Sequence, residues 1–161
     1  MVDMHGIVVT PWSRIDELAS LVAAYHLTTE REKGHPVEHV TDLPERYRQE
    51  ITDPTTAFAG SVVLVARSRH ATVGCVVLTA PRAGRVELKR LWVDPDNRGR
   101  GVARALTEAA LERARLVGAQ VVRLSVWRWR AGAVALYERL GFTVVESWDP
   151  RDGLVCMERV V

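Results

Sequence analysis

Residues 86–105, VELKRLWVDPDNRGRGVARA, constrain the fold of this chain more than any other stretch. Arg85 to Val93 reads as a strand, and Asp94-Pro95-Asp96-Asn97 breaks it. Gly101 to Val117 predicts a helix, with Val102, Ala105, Leu106, Ala109 and Val117 on its apolar face and Gly118 at its end. Gln120 to Trp127 is the next strand. A strand, a helix and a strand in this order call for a crossover, which sets up a local parallel pair. The turn into the helix, Arg98-Gly99-Arg100-Gly101-Val102-Ala103, has two glycines, two arginines and no acidic residue. Backbone N–H groups converge at such a helix start, the helix dipole adds positive potential, and small residues admit a ligand closely. A phosphate-bearing cofactor is the expected occupant, with the strand before the loop presenting the chemistry.

The flanking segments extend this unit. Gly6 to Thr10 predicts a first strand. Pro11 and Ser13 open a helix with Ser13 as N-cap, and Ile15, Leu18, Ala19, Val22 and Tyr25 on one face. Thr28 to His39 is polar and carries no clear element. A short helix follows Asp42, with Pro44 near its first turn and Leu43, Tyr47 and Ile51 on one side, and Asp53-Pro54 ends it. Ser61 to Arg67 and Thr72 to Ala80 are β-branched runs joined as an antiparallel hairpin. Ala131 to Leu140 is a helix stopped by Gly141. Phe142 to Trp148 and Leu154 to Val160 close the chain as a hairpin through residues 149–153. The sum is an α/β (α+β) fold in a single domain over residues 1–161. Its expected core is a mixed, mostly antiparallel sheet of about seven strands, flanked by about four helices.

Composition narrows the partners. A chain of 161 residues, 47% hydrophobic and 26% charged, has the balance of a soluble globular domain. Its formal net charge of +2 gives no basis for general nucleic-acid binding. The alternation Trp127-Arg128-Trp129-Arg130 is an isolated patch, and its tryptophans are expected to line an acceptor cleft or a homodimer contact. Cys75 and Cys156 sit in separate apolar runs and read as buried, reduced thiols. His35 and His39 are interrupted by Pro36 and lack further ligands, so no metal is expected, while His5, His26 and His70 are isolated. The first six residues lack the pattern of a secretory signal, and no apolar run is long enough to span a bilayer. A cytoplasmic protein without a membrane partner is the expectation.

The order of elements and three local segments resemble the GNAT superfamily of acyl-CoA-dependent N-acetyltransferases. Arg98-x-x-Gly101-x-Ala103 is similar to the family's pyrophosphate loop, at a helix start after a strand. Leu136-Tyr137-Glu138-Arg139-Leu140-Gly141-Phe142 is similar to its LYxxxGF segment, one strand later. Glu87-Leu88-Lys89-Arg90-Leu91-Trp92-Val93 resembles the strand that precedes the loop.

The resemblance implies acetyl-CoA, or a related acyl-CoA, as acyl donor, and direct transfer to an amine. Its diphosphate would rest on Arg98, Gly99, Arg100, Gly101, Val102 and Ala103. Leu91 and Trp92 would line the pantetheine path, and the Val93 N–H would polarise the thioester carbonyl. Glu87 matches a catalytic glutamate by its spacing to Val93, and Tyr137 the tyrosine that protonates the leaving thiolate. Bland alternatives stand beside each role: a solvated basic turn, a strand-face partner of Lys89 for Glu87, and a core aromatic for Tyr137. Arg130 stands where the family often has asparagine. The acceptor is expected to be a small-molecule amine, with a protein N-terminus or lysine second; a catalytically silent acyl-CoA sensor is the reading from another class. Glu30, Glu32, Glu38, Asp42, Glu45 and Glu50 suit a cationic amine, or are merely a charged helix surface.

Overall fold

The computed structural model describes residues 6–161. His5 and the rest of the N-terminal segment searched for a signal lie outside them, apart from Gly6. Seven strands form one sheet: β1 (Ile7–Pro11), β2 (Val62–Ser68), β3 (Ala71–Leu78), β4 (Arg85–Val93), β5 (Val121–Trp127), β6 (Thr143–Val145) and β7 (Leu154–Val160). Their order is β1-β2-β3-β4-β5-β7-β6. Every neighbouring pair is antiparallel except β4 and β5. That parallel pair is what the crossover through α4 (Val102–Leu116) requires.

The remaining helices are α1 (Ile15–Glu32), α2 (Glu45–Thr52), α3 (Pro54–Ala57) and α5 (Ala131–Arg139). The fifth helix, beyond the expected four, is the single turn α3, started by Asp53 as its side chain accepts from the Thr56 N–H. The sheet has two apolar faces. One packs Val86, Leu88, Val93, Val122, Leu124 and Met157 against α4 and α5. The other packs Val63, Val65, Cys75, Val77 and Trp92 against α1 and Phe58. Gly74 lets α4 sit close to β3: a Cβ there would lie 2.8 Å from the Trp92 carbonyl oxygen and 3.0 Å from Leu106 Cδ1.

Three boundaries differ from expectation for physical reasons. Ser13 does not cap α1; the cap is Arg14, with no side-chain cap bond. The helix continues seven residues past Tyr25 because its buried stripe changes chemistry from apolar to polar, through His26, Thr29 and Glu30. Gly34, at φ +84°, then closes it, as the His35 N–H donates to the Glu30 carbonyl. The strand expected from Phe142 to Trp148 is only Thr143–Val145, since residues 146–153 leave the ladder to form an arm over the cleft described next.

Candidate active site

The decisive local feature is a bulge in β4. Gly74 faces Val93 and Cys75 faces Trp92, but Val77 already faces Lys89. The extra residue is Arg90, at φ +56°, a left-handed conformation that a long side chain adopts only against steric cost. Two contacts hold it. Its guanidinium forks onto Glu50 of α2, with Nε 2.8 Å from Oε1 and Nη2 2.9 Å from Oε2. Its carbonyl accepts from the buried Cys75 Sγ at 3.5 Å.

From Glu87 onward, before the bulge is reached, β4 and β5 separate. Their pairing covers only Arg85–Glu87 against Val121–Arg123. The resulting cleft, about 1350 Å³, runs from the α4 N-terminus to α1 and α2. That is more than one small ligand fills, and fits a long cofactor meeting a second substrate. Leu91, Trp92 and Val93 line one wall, and Ser125, Val126 and Trp127 the other. The Asp94 N–H donates to Val73 on β3 at 2.8 Å, so antiparallel alternation turns the N–H and carbonyl of Val93 away from β3, towards the cleft. The carbonyl accepts from Arg98 Nε at 3.1 Å, which ties the loop to the strand.

At one end lies the loop. Gly99 (φ +77°) and Gly101 (φ +81°) are both left-handed, with open space where a Cβ would stand. Gly101 caps α4 without a side chain, and no acidic residue occupies the first turn. The first N–H groups of α4 are thus left for an anion. By contrast, α1 has Asp16 and Glu17 in its first turn. Gly99, Gly101, Val102 and Ala103 line the cleft together with Arg98 and Arg104. Arg104 was missed by the motif, which ends one residue earlier. The Arg98 guanidinium also lies 4.8 Å from the Trp92 ring centroid. Arg100 is exposed and is not part of the cleft lining. Trp92 Nε1 is a buried donor with no partner among the described residues.

Midway, Tyr137 of α5 lines the cleft at 6% exposure, edge-on to Phe142 at 5.6 Å. Burial, then the nearby Tyr25, pushes its phenol well above the usual tyrosine range, so it stays protonated. Glu87 sits at the last β4–β5 pair, with Lys89 Nζ 4.0 Å away. The two share a face, as strand alternation anticipates.

The far end is built from side chains that sequence spacing does not connect. His26 is 2% exposed and stacks on Tyr47 with centroids 4.2 Å apart. Its Nε2 lies 2.8 Å from Glu50 Oε1. Burial alone would raise the Glu50 carboxyl, but the hydrogen bonds from Arg90 and His26 outweigh it and hold it at about 2. Burial lowers His26, against the pull of Glu50, so it is neutral near pH 7. Glu50 is then an acceptor only, and the proton must lie on His26 Nε2. Arg130 Nε donates to Glu32 at 2.9 Å, and its Nη2 donates to Thr29 Oγ1 at 2.7 Å. That bridge from the start of α5 to α1 is what stands in the asparagine position. Trp129 Nε1 joins it on Glu32, and Trp127 stacks on Trp129 at 4.6 Å. Trp127 is a cleft residue.

The acidic residues expected to suit a cationic amine are therefore occupied where they reach the cleft. Glu30 pairs with Lys33, Glu32 with Arg130, and Glu50 with Arg90. Cys75 and Cys156 are buried free thiols, and burial pushes Cys75 up to about 12. Among the described residues no group of three potential metal ligands occurs, and no helix is long and apolar enough to cross a membrane.

The chain is 35% identical over 138 residues to a mycothiol acetyltransferase from Propionibacterium freudenreichii, covering 83% of this chain and 42% of that one. It is 32% identical over 111 residues to an IAA acetyltransferase from Azospirillum brasilense, covering 67% and 66%. The chain spans less than half the length of the first curated relatives it matches. Its fold is shared with a PaiA N-acetyltransferase from Thermoplasma acidophilum solved in complex with coenzyme A, at TM-score 0.74 and 19% identity, covering 96% and 99%. The model of the acetyltransferase (GNAT) family matches residues 21–142, from the middle of α1 to the Phe142 that ends the tyrosine segment, and the chain belongs to that family.

Proposed function

We propose that this chain is an N-acetyltransferase that passes the acetyl group of acetyl-CoA directly to the amine of a small molecule. The observation that carries this reading is the uncapped, acid-free α4 N-terminus opening into the gap between β4 and β5. The relatives named as acetyltransferases support it. Gly99 to Ala103 would hold the diphosphate through backbone N–H groups, with Arg98 and Arg104 beside it. The pantetheine arm would run between Leu91–Val93 and Ser125–Trp127, replacing the hydrogen bonds the two strands do not make to each other.

Each group then has one task. The Val93 N–H, turned into the cleft, stabilises negative charge as it grows on the thioester oxygen. Glu87 takes a proton from the incoming ammonium, directly or through water, because only the free amine attacks. As the C–S bond breaks, the sulfur leaves with the bonding pair, and protonated Tyr137 supplies its proton. The second proton lost from nitrogen restores Tyr137, and the products are the amide and the free thiol. Among the described residues no paired nucleophile lines the cleft, and Cys75 is buried and protonated, which supports direct transfer over an acyl-enzyme. A small acceptor suits the cleft because Trp127, Trp148 and the arm at Asp149–Arg151 wall its acceptor end. A cytoplasmic location fits a donor of this kind.

The test is release of free thiol from acetyl-CoA in the presence of an amine panel, with the acetylated amine identified by mass. Amine-dependent thiol release without an acetylated protein is the expected result. Binding of acetyl-CoA with no transfer to any amine would leave the silent sensor as the reading.

A further inference from the structure

Pairing the charges at the acceptor end leaves an asymmetry. On the α1–α2 face of the cleft, five cations have a carboxylate: Lys33 with Glu30, Arg130 with Glu32, Arg90 with Glu50, Arg151 with Asp149, and Lys89 with Glu87. Four cleft cations form no ion pair within 4.0 Å among the described residues, Arg46, Arg98, Arg123 and Arg139, and of these Arg46 lies on α2 and Arg123 beside the arm at Trp148. Arg46, in the first turn of α2, donates Nη2 to the Tyr47 hydroxyl at 2.9 Å and lies 4.7 Å from that ring. Arg123 of β5 lies between Glu87 of β4 and Glu158 of β7 in register, yet it forms an ion pair with neither and its guanidinium lies 4.5 Å over Trp148 instead. Aromatic faces orient a guanidinium without neutralising it, and each fork keeps donors to spare. The other cleft arginines, Arg98, Arg104 and Arg139, belong to the loop and to α4 and α5.

The carboxylates give the complementary picture. A polyamine or other multiply cationic acceptor needs acids left unpaired, and among the described cleft acids only Glu87 is loosely held, at 4.0 Å from Lys89. Glu87 is spoken for by the reacting amine. The walls between these charges are Tyr25, Tyr47, Trp127 and Trp148, which suit a flat or apolar body. Resting on the transferase reading above, we infer that the acceptor is an amine that also carries a carboxylate, of the amino-acid type with an aromatic or apolar side chain. Its carboxylate is held by Arg46 and Arg123, its side chain lies against the aromatic walls, and its nitrogen meets Glu87.

The experiment compares matched pairs that differ only in the carboxylate: phenylalanine with phenethylamine, tryptophan with tryptamine, leucine with isoamylamine. O-phosphoethanolamine with ethanolamine and spermidine complete the set. Both transfer from acetyl-CoA and binding to the CoA-loaded protein are measured. At least one amino acid is expected to exceed its partner by about tenfold or more in kcat/KM and in affinity, as charge-assisted hydrogen bonds predict. Arg46→Gln and Arg123→Gln should each shrink that ratio, through KM, with acetyl-CoA affinity unchanged. Arg46 is exposed and Arg123 half-buried, so neither variant threatens the fold.

Equal use of the partners, no preference in either readout, or spermidine as the best acceptor overturns the inference. So does a preference confined to the phosphorylated amine. The outcomes separate the two levels of the account. Carboxylate-selective binding without turnover keeps the inference and removes the transferase; efficient transfer to phenethylamine equal to phenylalanine does the reverse.

Discussion

At the α4 end of the cleft the groups proposed to meet the donor are main-chain N–H groups of a few consecutive residues, Gly99 to Ala103, left open by two left-handed glycines. At the α1–α2 end they are side chains from α1, α2, β4, β5 and the 146–153 arm, and nearly every charge already has a partner. The first arrangement is indifferent to most side chains and sensitive to conformation. The second tolerates backbone variation but depends on which residue faces which. On the proposed function, such a chain would keep its donor while changing its acceptor, by editing α1, α2 and the arm and leaving the loop alone.

Substitutions can break this contrast. The largest effect is expected from Gly101→Glu. A side chain at φ +81° is strained, and a carboxylate there repels phosphate. Calorimetry should show acetyl-CoA affinity reduced by about a hundredfold or more in a folded protein. At the other end, Glu50→Ala should act on the fold rather than on the donor. It strands the half-buried Arg90 and frees the bulge, and denaturant unfolding should show a loss of up to about 3–5 kcal/mol. Unchanged stability would mean that the bulge holds without its pin.

Between the two ends, Tyr137→Phe should lower kcat by about a hundredfold while the KM for acetyl-CoA stays within about twofold. Equal turnover would make Tyr137 a core aromatic and no more. The smallest effect is on pH dependence. His26 and Glu50 both have lowered folded values, so the unfolded chain binds more protons as pH falls, and stability falls with it. The melting temperature should begin to drop below about pH 6.5, where unfolded histidine takes a proton, and steepen below about 4.5 towards 2 as the Glu50 contribution is lost. In Glu50→Gln the steep lower part should flatten.

The same contrast explains what could be read from the amino-acid order. The loop, α4 and the tyrosine segment were legible because glycine, a dipole and helical periodicity act over a few neighbouring residues. The parallel pairing of β4 with β5 followed from the crossover, whereas the place of β7 between β5 and β6 had no local signal. The continuation of α1 was not legible, since its buried stripe turns polar at His26, Thr29 and Glu30, and polar residues count against burial until their partners are known. Arg90 was hidden for a related reason: nothing local marks an arginine as a bulge residue, and its partner Glu50 lies 40 positions away. The acids of α1 and α2 were visible, but their cations were not assigned to them, so the sequence left open whether these acids face an acceptor or cations of the chain itself. One signal was available: Glu30 and Lys33 stand three apart, in the last turn and at the C-cap of α1.

The most direct test of the central claim is a crystal structure of the protein with coenzyme A. The account predicts the diphosphate within hydrogen-bond distance of the N–H groups of Gly99 to Ala103, the pantetheine arm between β4 and β5, and the sulfur beside Val93 and Tyr137. A diphosphate bound away from the α4 N-terminus, or an arm that does not enter the gap between the strands, would contradict it.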